Sequence, residues 1–380
     1  MNQILSWAQT QQKAYASMLR QMVECESPSD NSAAVNRVVD FLASLTLAHA
    51  KLKTVPGGKF GKHLLCEFPA AKRGGGQILI LSHSDTVWPL GTLANMPFRE
   101  ADGRLWGPGT LDMKGGIAIV LFAMQALREF DIPLPHRVLL QVNSDEEVGS
   151  PSSRALTEKN AQASKAVYVV EPGTGLSGKL KTARKGVGGY TVAVHGRAAH
   201  AGVDFTNGAS AILELAHQLQ TIAGFTNLDR GLTVNPGVIT GGTRTNVIAA
   251  EAAAHIDIRI QRSKDFAALD RKFQTLKPFD KRCTLSVTGG LNRPPMERSA
   301  GTIRLYKQAE TIAKSMDLKL EESATGGGSD GNFTAALGIP TLDGLGPVGE
   351  GAHAPHESIL IDRIPDRIAL FAGLMSYLEA

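Results

Sequence analysis

The chain has 380 residues, 43% hydrophobic and 20% charged, a length that suggests two domains with sizeable cores. Its 40 basic and 36 acidic residues leave a net charge of +4 with no Lys/Arg block, which argues against nucleic acid or an acidic membrane surface as partner. Three scattered cysteines, Cys25, Cys66 and Cys283, favour reduced thiols in the cytoplasm over a disulfide framework. The first 21 residues lack the charged and apolar regions of a secretory leader, so none is expected. No apolar run approaches the roughly 18 residues of a membrane span, so no membrane is expected either.

Residues 2–25 have helical spacing, broken by "SPSD" at 27–30. A second helix is expected over "NSAAVNRVVDFLASL", with Asn31 or Ser32 as N-cap. "GQILILSHSDTV" reads as a buried strand running into a polar loop, and "MKGGIAIVLFAMQALREF" as a helix buried on most sides. Residues 138–142 and "AVYVVEPG" are further apolar strands. Strands alternating with helices predict a mostly parallel α/β sheet flanked by helices. After Lys179 the pattern becomes strand, helix, strand, strand, helix, strand, the order of a ferredoxin-like α+β unit. From Arg298 the α/β pattern resumes. The expected organisation is one domain, 1–183 with 295–380, interrupted by an inserted domain over 184–294. The crossings near residues 181–186 and 289–293 are expected to be hinges, with Gly289 and Gly290 the more pliable.

The strand at 138–142 ends in Asp145, Glu146 and Glu147, like charges whose repulsion and desolvation are both costly. Neighbouring strands end in His83 with Asp85, and in Glu171. Asp112 sits in the Gly-rich loop "GPGTLDMKGG", and His353 and His356 lie in "GEGAHAPHES". In open α/β sheets, sites form beyond the carboxyl ends of strands. Acids with imidazole and no thiolate suit zinc or a similar divalent ion, which turns the repulsion into attraction. One glutamate of the pair can then ligate while its neighbour takes a proton from a water that the metal acidifies.

In this order, "SHSDTV", "GPGTLDMKGG", "NSDEEVGS", "VEPG", "RAAHAG", "TNVIAA", "GGGSDGNF" and "GAHAPHE" resemble the co-catalytic zinc peptidases and deacylases. That family includes glutamate carboxypeptidase, acetylornithine deacetylase, succinyl-diaminopimelate desuccinylase and aminoacylase. The resemblance runs from about residue 10 to the C-terminus and leans toward glutamate carboxypeptidase. It implies two Zn2+ per subunit, with Co2+ or Mn2+ as possible substitutes. His83 and Glu171 would hold one ion, Glu147 and His353 the other, and Asp112 both, with a cis bond to Met113. Asp85 would orient the His83 ring, and Glu146 would be the general base. His356 matches no ligand and is read as a surface residue or one touching a ligand.

The inserted domain resembles the family's lid and dimerisation domain. His200 would reach the partner subunit's site and polarise the scissile carbonyl, and Asn246 would contact the substrate carboxylate. Arg293 matches a carboxylate-binding arginine, with an exposed arginine beside two prolines as the competing reading. Lys185 and Arg259 are weaker anion-binding candidates, and Gly328 and Ser329 would line the substrate pocket. The implied function is a metal-dependent hydrolase cleaving an amide next to a free carboxylate, a carboxypeptidase acting as a homodimer on small peptides or N-acyl amino acids. Three alternatives stand beside it: an N-acyl-amino-acid deacylase, a non-catalytic binding module that retains the fold, and a nucleotide-binding α/β protein, against which no G-x-G-x-x-G follows the first strand.

Overall fold

Short apolar runs bounded by turn residues form the sheet that carries the acids and histidines. A computed structural model describes residues 1–45, 50–72 and 74–377. The chain divides into two compact units. The larger comprises Met1–Ala183, Arg298–Thr325 and Ser329–Ala380, and the smaller comprises Arg184–Glu297 and Gly326–Gly328. The three-residue return at Gly326–Gly328 has no sequence signal beyond its glycines.

In the larger unit, the described residues form a six-stranded sheet in the order Lys51–Pro56, Lys62–Phe68, Arg137–Asn143, Gln77–His83, Ala166–Val169 and Thr341–Leu342. The first two pairings are antiparallel and the other three parallel. This is the mostly parallel α/β sheet expected, with two antiparallel strands added along one side that the sequence reading did not separate. Leu79, Ile80 and Leu81 are wholly buried, and each contributes about 1.5–3 kcal/mol by leaving water.

Helix Ser32–Ser44 starts where expected, with the Asn31 side chain accepting from Ala34 N at 3.0 Å. Tyr15 and Phe122 pack together across the helices that cover the sheet, their ring centroids 5.7 Å apart. Against the sequence expectation, Thr110–Glu129 is long and apolar enough to cross a membrane by length and composition. However, 83% of its window is buried inside the protein, so it is accounted for as a core helix.

The smaller unit is an antiparallel four-stranded sheet in the order Thr233–Gly241, Glu251–Ile260, Gly186–His195 and Thr284–Arg293. Helices Ala211–Ala223 and Phe266–Gln274 complete the β-α-β-β-α-β order. Buried side chains alternate along Gly186–His195, as a sheet covered on one face requires. Tyr190 stacks on Phe273 of the second helix at 3.9 Å between centroids.

The last strand runs on to Arg293, which corrects the expectation of a pliable crossing at Gly289 and Gly290. Gly289 pairs with Tyr190 and Gly290 with Gly189 inside the ladder. A Cβ on Gly289 would clash with Gly189 O and lie 2.8 Å from Tyr190 Cα, at a φ of +126°. At Gly290 the φ is +147°, but the nearest atom to such a Cβ is 4.0 Å away. Both substitutions to Ala are strained by a positive φ, and Gly289→Ala, which also clashes, should destabilise the protein by more than about 1 kcal/mol and by more than Gly290→Ala. Urea midpoints of the two variants check the order.

Candidate metal centre

Strand register levels the first two ligand positions. Leu81 pairs with Val169 across parallel strands, so His83 and Glu171, each two residues on, project from the same end. His83 in turn pairs with Asn143, whose strand continues into Glu146 and Glu147. Asp112 reaches this end from the wide turn Thr110–Lys114 that opens helix Gly115–Glu129, and its bond to Met113 is cis. A Cβ on Gly116 would overlap Val170 O, so glycine there lets the helix start press against the loop leading to Glu171.

The geometry around Asp112 is two-sided. Its Oδ1 lies 3.2 Å from His83 Nε2, which is also 3.6 Å from Glu171 Oε1. Its Oδ2 lies 3.3 Å from His353 Nε2, which is also 3.3 Å from Glu147 Oε2. His83 Nδ1 donates to Asp85 O at 2.9 Å, which fixes the tautomer and turns Nε2 toward the acids. The Asp85 carboxylate is farther from the ring, 3.5 Å. It accepts instead from Ser29 Oγ at 2.7 Å and from Glu146 N and Glu147 N at 3.2 and 3.1 Å. Asp85 thus orients the imidazole chiefly through its carbonyl and holds the glutamate pair through its carboxylate.

These residues fit a dication. Glu147 Oε1 is buried with no hydrogen-bond partner among the described residues, an orphaned acceptor in a set of acids and imidazoles. His83, Asp112 and Glu147 offer ligand atoms within 4.8 Å of one another, and so do His83, Glu146 and Glu171. Burial works to lower the His83 pKa, but hydrogen bonds to Asp112, Asp85 and Glu171 push it well above its ordinary value. Hydrogen bonds to Asp112 and Glu147 raise His353 to about 10. Burial works to raise the Asp112 pKa, but hydrogen bonds to His353 and His83 hold it below the usual range. Burial pushes Glu147 up. The cluster demands positive charge, which protons on histidine or a divalent ion can supply.

The sequence matches peptidase family M20/M25/M40 over residues 79–377. Carboxypeptidase G2 of Pseudomonas sp. (strain RS-16) is 32% identical over 314 residues, 81% of this chain and 75% of that protein. The chain belongs to the M20/M25/M40 peptidase family. An M20 family metallo-carboxypeptidase from Sulfolobus solfataricus shares the fold, with a TM-score of 0.72 and 18% identity over 95% of this chain and 98% of that one. So does a dinuclear metal-binding M20 peptidase from Bacillus subtilis, with a TM-score of 0.67 and 14% identity over 96% and 97% of the two chains.

In this M20 chain, Glu357 is a site residue that sequence reasoning missed. It is wholly buried, and its carboxylate accepts from Gly109 N, Leu111 N and Asp112 N at 2.8–3.0 Å and from Trp88 Nε1 at 2.8 Å. A lone glutamate four residues after a histidine carries no sequence signal for such a role. His356 is exposed and His353 half exposed.

The candidates of the smaller unit form their own groups. His200 bridges to Val247, and Ala201 N donates to Asn246 O at 2.9 Å, so His200 and Asn246 sit on adjoining exposed segments. Arg293 is 6% exposed, which overturns the reading of it as an exposed arginine. Gly328 packs on it, its Cβ position 3.0 Å from Arg293 Cδ. Arg259 is tied to Asp257 at 2.9 Å and to Gly326 O at 3.2 Å, and the buried Arg184 donates to Gly327 O and Gly328 O. Lys185 is half buried. Ser329, in the larger unit, donates to Asp343 Oδ2 at 2.7 Å.

Glu357→Gln replaces an acceptor with an amide N–H facing other donors. It should weaken metal retention or activity by about 10- to 100-fold. Zinc titration of the chelator-stripped protein, with activity assayed at each point, checks this.

Proposed function

We propose that the chain is a metal-dependent carboxypeptidase that cleaves an amide bond beside a free carboxylate in small peptides or N-acyl amino acids. Two zinc ions per subunit are proposed, held by His83, Asp112 and Glu171 on one side and by Asp112, Glu147 and His353 on the other. The observation that carries this reading is that each Asp112 oxygen faces a different histidine, each of which has a further carboxylate of its own. Similarity to a carboxypeptidase over 81% of the chain supports the substrate class.

When bound, the metal pair supplies Lewis acidity to the scissile carbonyl and acidifies the attacking water. Glu146 accepts the proton and returns it to the leaving amine. Its reach is set by Asp85, which fixes the Glu146 and Glu147 backbones by hydrogen bonds to both N–H groups. His200 is proposed to donate to the carbonyl oxygen as negative charge develops there. Arg293 and Asn246 are proposed to take the substrate carboxylate, with Lys185 and Arg259 adding positive charge and Gly328 and Ser329 lining the pocket. Three unpaired cysteines accord with a reducing, cytoplasmic setting.

Glu146→Gln removes a base and no ligand, so it should keep both metals and lose about 10²- to 10⁴-fold in turnover. Glu147→Gln should instead lose metal. Elemental analysis beside kinetics separates them, and near-native turnover in Glu146→Gln would overturn the base assignment. A chelator should abolish activity and zinc should restore it. Comparing an N-acyl glutamate with N-acetylornithine and a neutral dipeptide distinguishes a carboxypeptidase from a deacylase of other specificity.

A homodimer through the smaller unit is part of the proposal. Val238 and Ile239 are more than half exposed on Thr233–Gly241, an edge strand among the described residues, and Leu213 is 63% exposed on helix Ala211–Ala223. Exposed apolar residues on a sheet edge and a neighbouring helix suit a second copy. If His200 serves the partner's site, His200→Ala and Glu146→Ala should each be nearly inactive alone. Allowed to exchange subunits, they should regain about a quarter of the wild-type rate, since half the dimers are mixed and half of their sites intact. Verified exchange without recovery would end the claim that His200 acts in trans.

A further inference from the structure

We propose that His63 is a positioning residue for Glu146, a neutral imidazole that pins the turn carrying the base. This rests on the assignment of Glu146 as base. His63 is wholly buried on strand Lys62–Phe68 and carries no ligand role. Its Nδ1 faces Ser144 N at 3.2 Å and Ser144 Oγ at 2.9 Å, and its Nε2 faces Ser152 Oγ at 3.1 Å. A backbone N–H can only donate, so Nδ1 is the acceptor and the single proton of the neutral ring sits on Nε2. Nε2–H then donates to Ser152 Oγ, whose own hydrogen goes to Asp145 Oδ2 at 2.6 Å. Asp145 Oδ2 also accepts from Ser152 N at 2.6 Å and Ser153 N at 3.2 Å. Burial holds the His63 pKa below its ordinary value despite the pull of Asp145, Asp330 and Asp85. Gly57 leaves room for the ring, since a Cβ there would lie 2.8 Å from Nε2.

The contacts of His63 bracket the glutamates, Ser144 two residues before Glu146 and Ser152 six after. The far side of the same turn is tied to Asp330, which accepts from the Ser150 hydroxyl and from Asn143 Nδ2 at 2.6 Å. Within the turn, Ser150 N donates to Asp145 O at 2.8 Å and Gly149 N to Glu146 O at 2.9 Å. The two glutamates depend on this frame unequally. Glu147, as a ligand, would gain a further anchor from its metal, whereas Glu146, as a base, would gain none from a metal bond, so its reach depends on where the turn places its backbone. Loosening the His63 side should therefore appear in turnover before it appears in metal content.

The test uses the full-length, zinc-loaded protein and an N-acyl glutamate substrate. His63→Phe should lower kcat about 10- to 100-fold while KM and metal stoichiometry stay near wild type. His63→Asn, whose amide oxygen can replace Nδ1 as acceptor for Ser144, should recover part of that loss. A wild-type kcat in His63→Phe overturns the proposal, and so does metal loss in step with kcat, which marks a merely structural role. Should His63→Phe fail to fold, Ser152→Ala decides. A several-fold lower kcat at unchanged KM supports the proposal, and a wild-type kcat overturns it. Glu146→Gln assayed alongside separates the two claims. If it keeps its turnover the base assignment itself is wrong and the positioning claim falls with it, whereas an inactive Glu146→Gln beside a fully active His63→Phe refutes the positioning alone.

Discussion

Carboxylates packed at one end of a buried sheet repel one another, and the surrounding structure is arranged to balance that charge. Among the described residues, Asp112, Glu147 and Glu171 face two histidines, His83 and His353, and both histidines are drawn toward the protonated state by these acids. A divalent ion answers the same demand with more charge in less space and frees both imidazoles to ligate. Further acids are balanced by backbone dipoles instead. Glu357 gathers three N–H groups of the Asp112 loop, and Asp85 gathers those of Glu146 and Glu147. Lys114 is buried beside this region with its ammonium on Cys25 O, and burial lowers its pKa to about 8.

The fold supplies precision through registers that sequence pattern sets only indirectly. Parallel pairing levels His83 with Glu171, and the strand between Lys62–Phe68 and Gln77–His83 brings the glutamate pair to the same end. The helix starting at Gly115 reaches this end because Gly116 has no side chain to hold it away from Val170. Ligands from five separate stretches of chain, His83, Asp112, Glu147, Glu171 and His353, thus converge without any two being near neighbours in sequence.

Much of this was legible beforehand, for identifiable reasons. Gln77–His83, Arg137–Asn143 and Ala166–Val169 are buried on both faces, so they read as continuous apolar runs, and their polar ends mark the site. Lys51–Pro56 is largely exposed and lacks that pattern, so it was missed as a strand. Gly289 and Gly290 looked like a hinge because glycine signals freedom, yet both are paired inside the ladder, and at Gly289 the close approach of Gly189 and Tyr190 leaves no room for a side chain. Glu357 and His63 were invisible because their roles depend on hydrogen-bond partners 245 or more and 81 or more residues away, a separation no local pattern records. Arg293 could be taken as exposed because prolines beside it suggest a surface turn, but it closes a strand and is covered by Gly328.

The insertion of the smaller unit between residues 183 and 298 has a consequence for the order in which the chain is made. His83, Asp112, Glu147 and Glu171 all leave the ribosome before that unit, whereas His353 and Glu357 leave long after it. Until then the acids have one of their two histidines, and the Gly109, Leu111 and Asp112 amides lack the carboxylate that caps them. A nascent chain therefore carries these acids, one histidine short, through the synthesis of an intervening unit that has its own core. Biogenesis of the centre is in this sense C-terminal, settled by a few residues that arrive near the end.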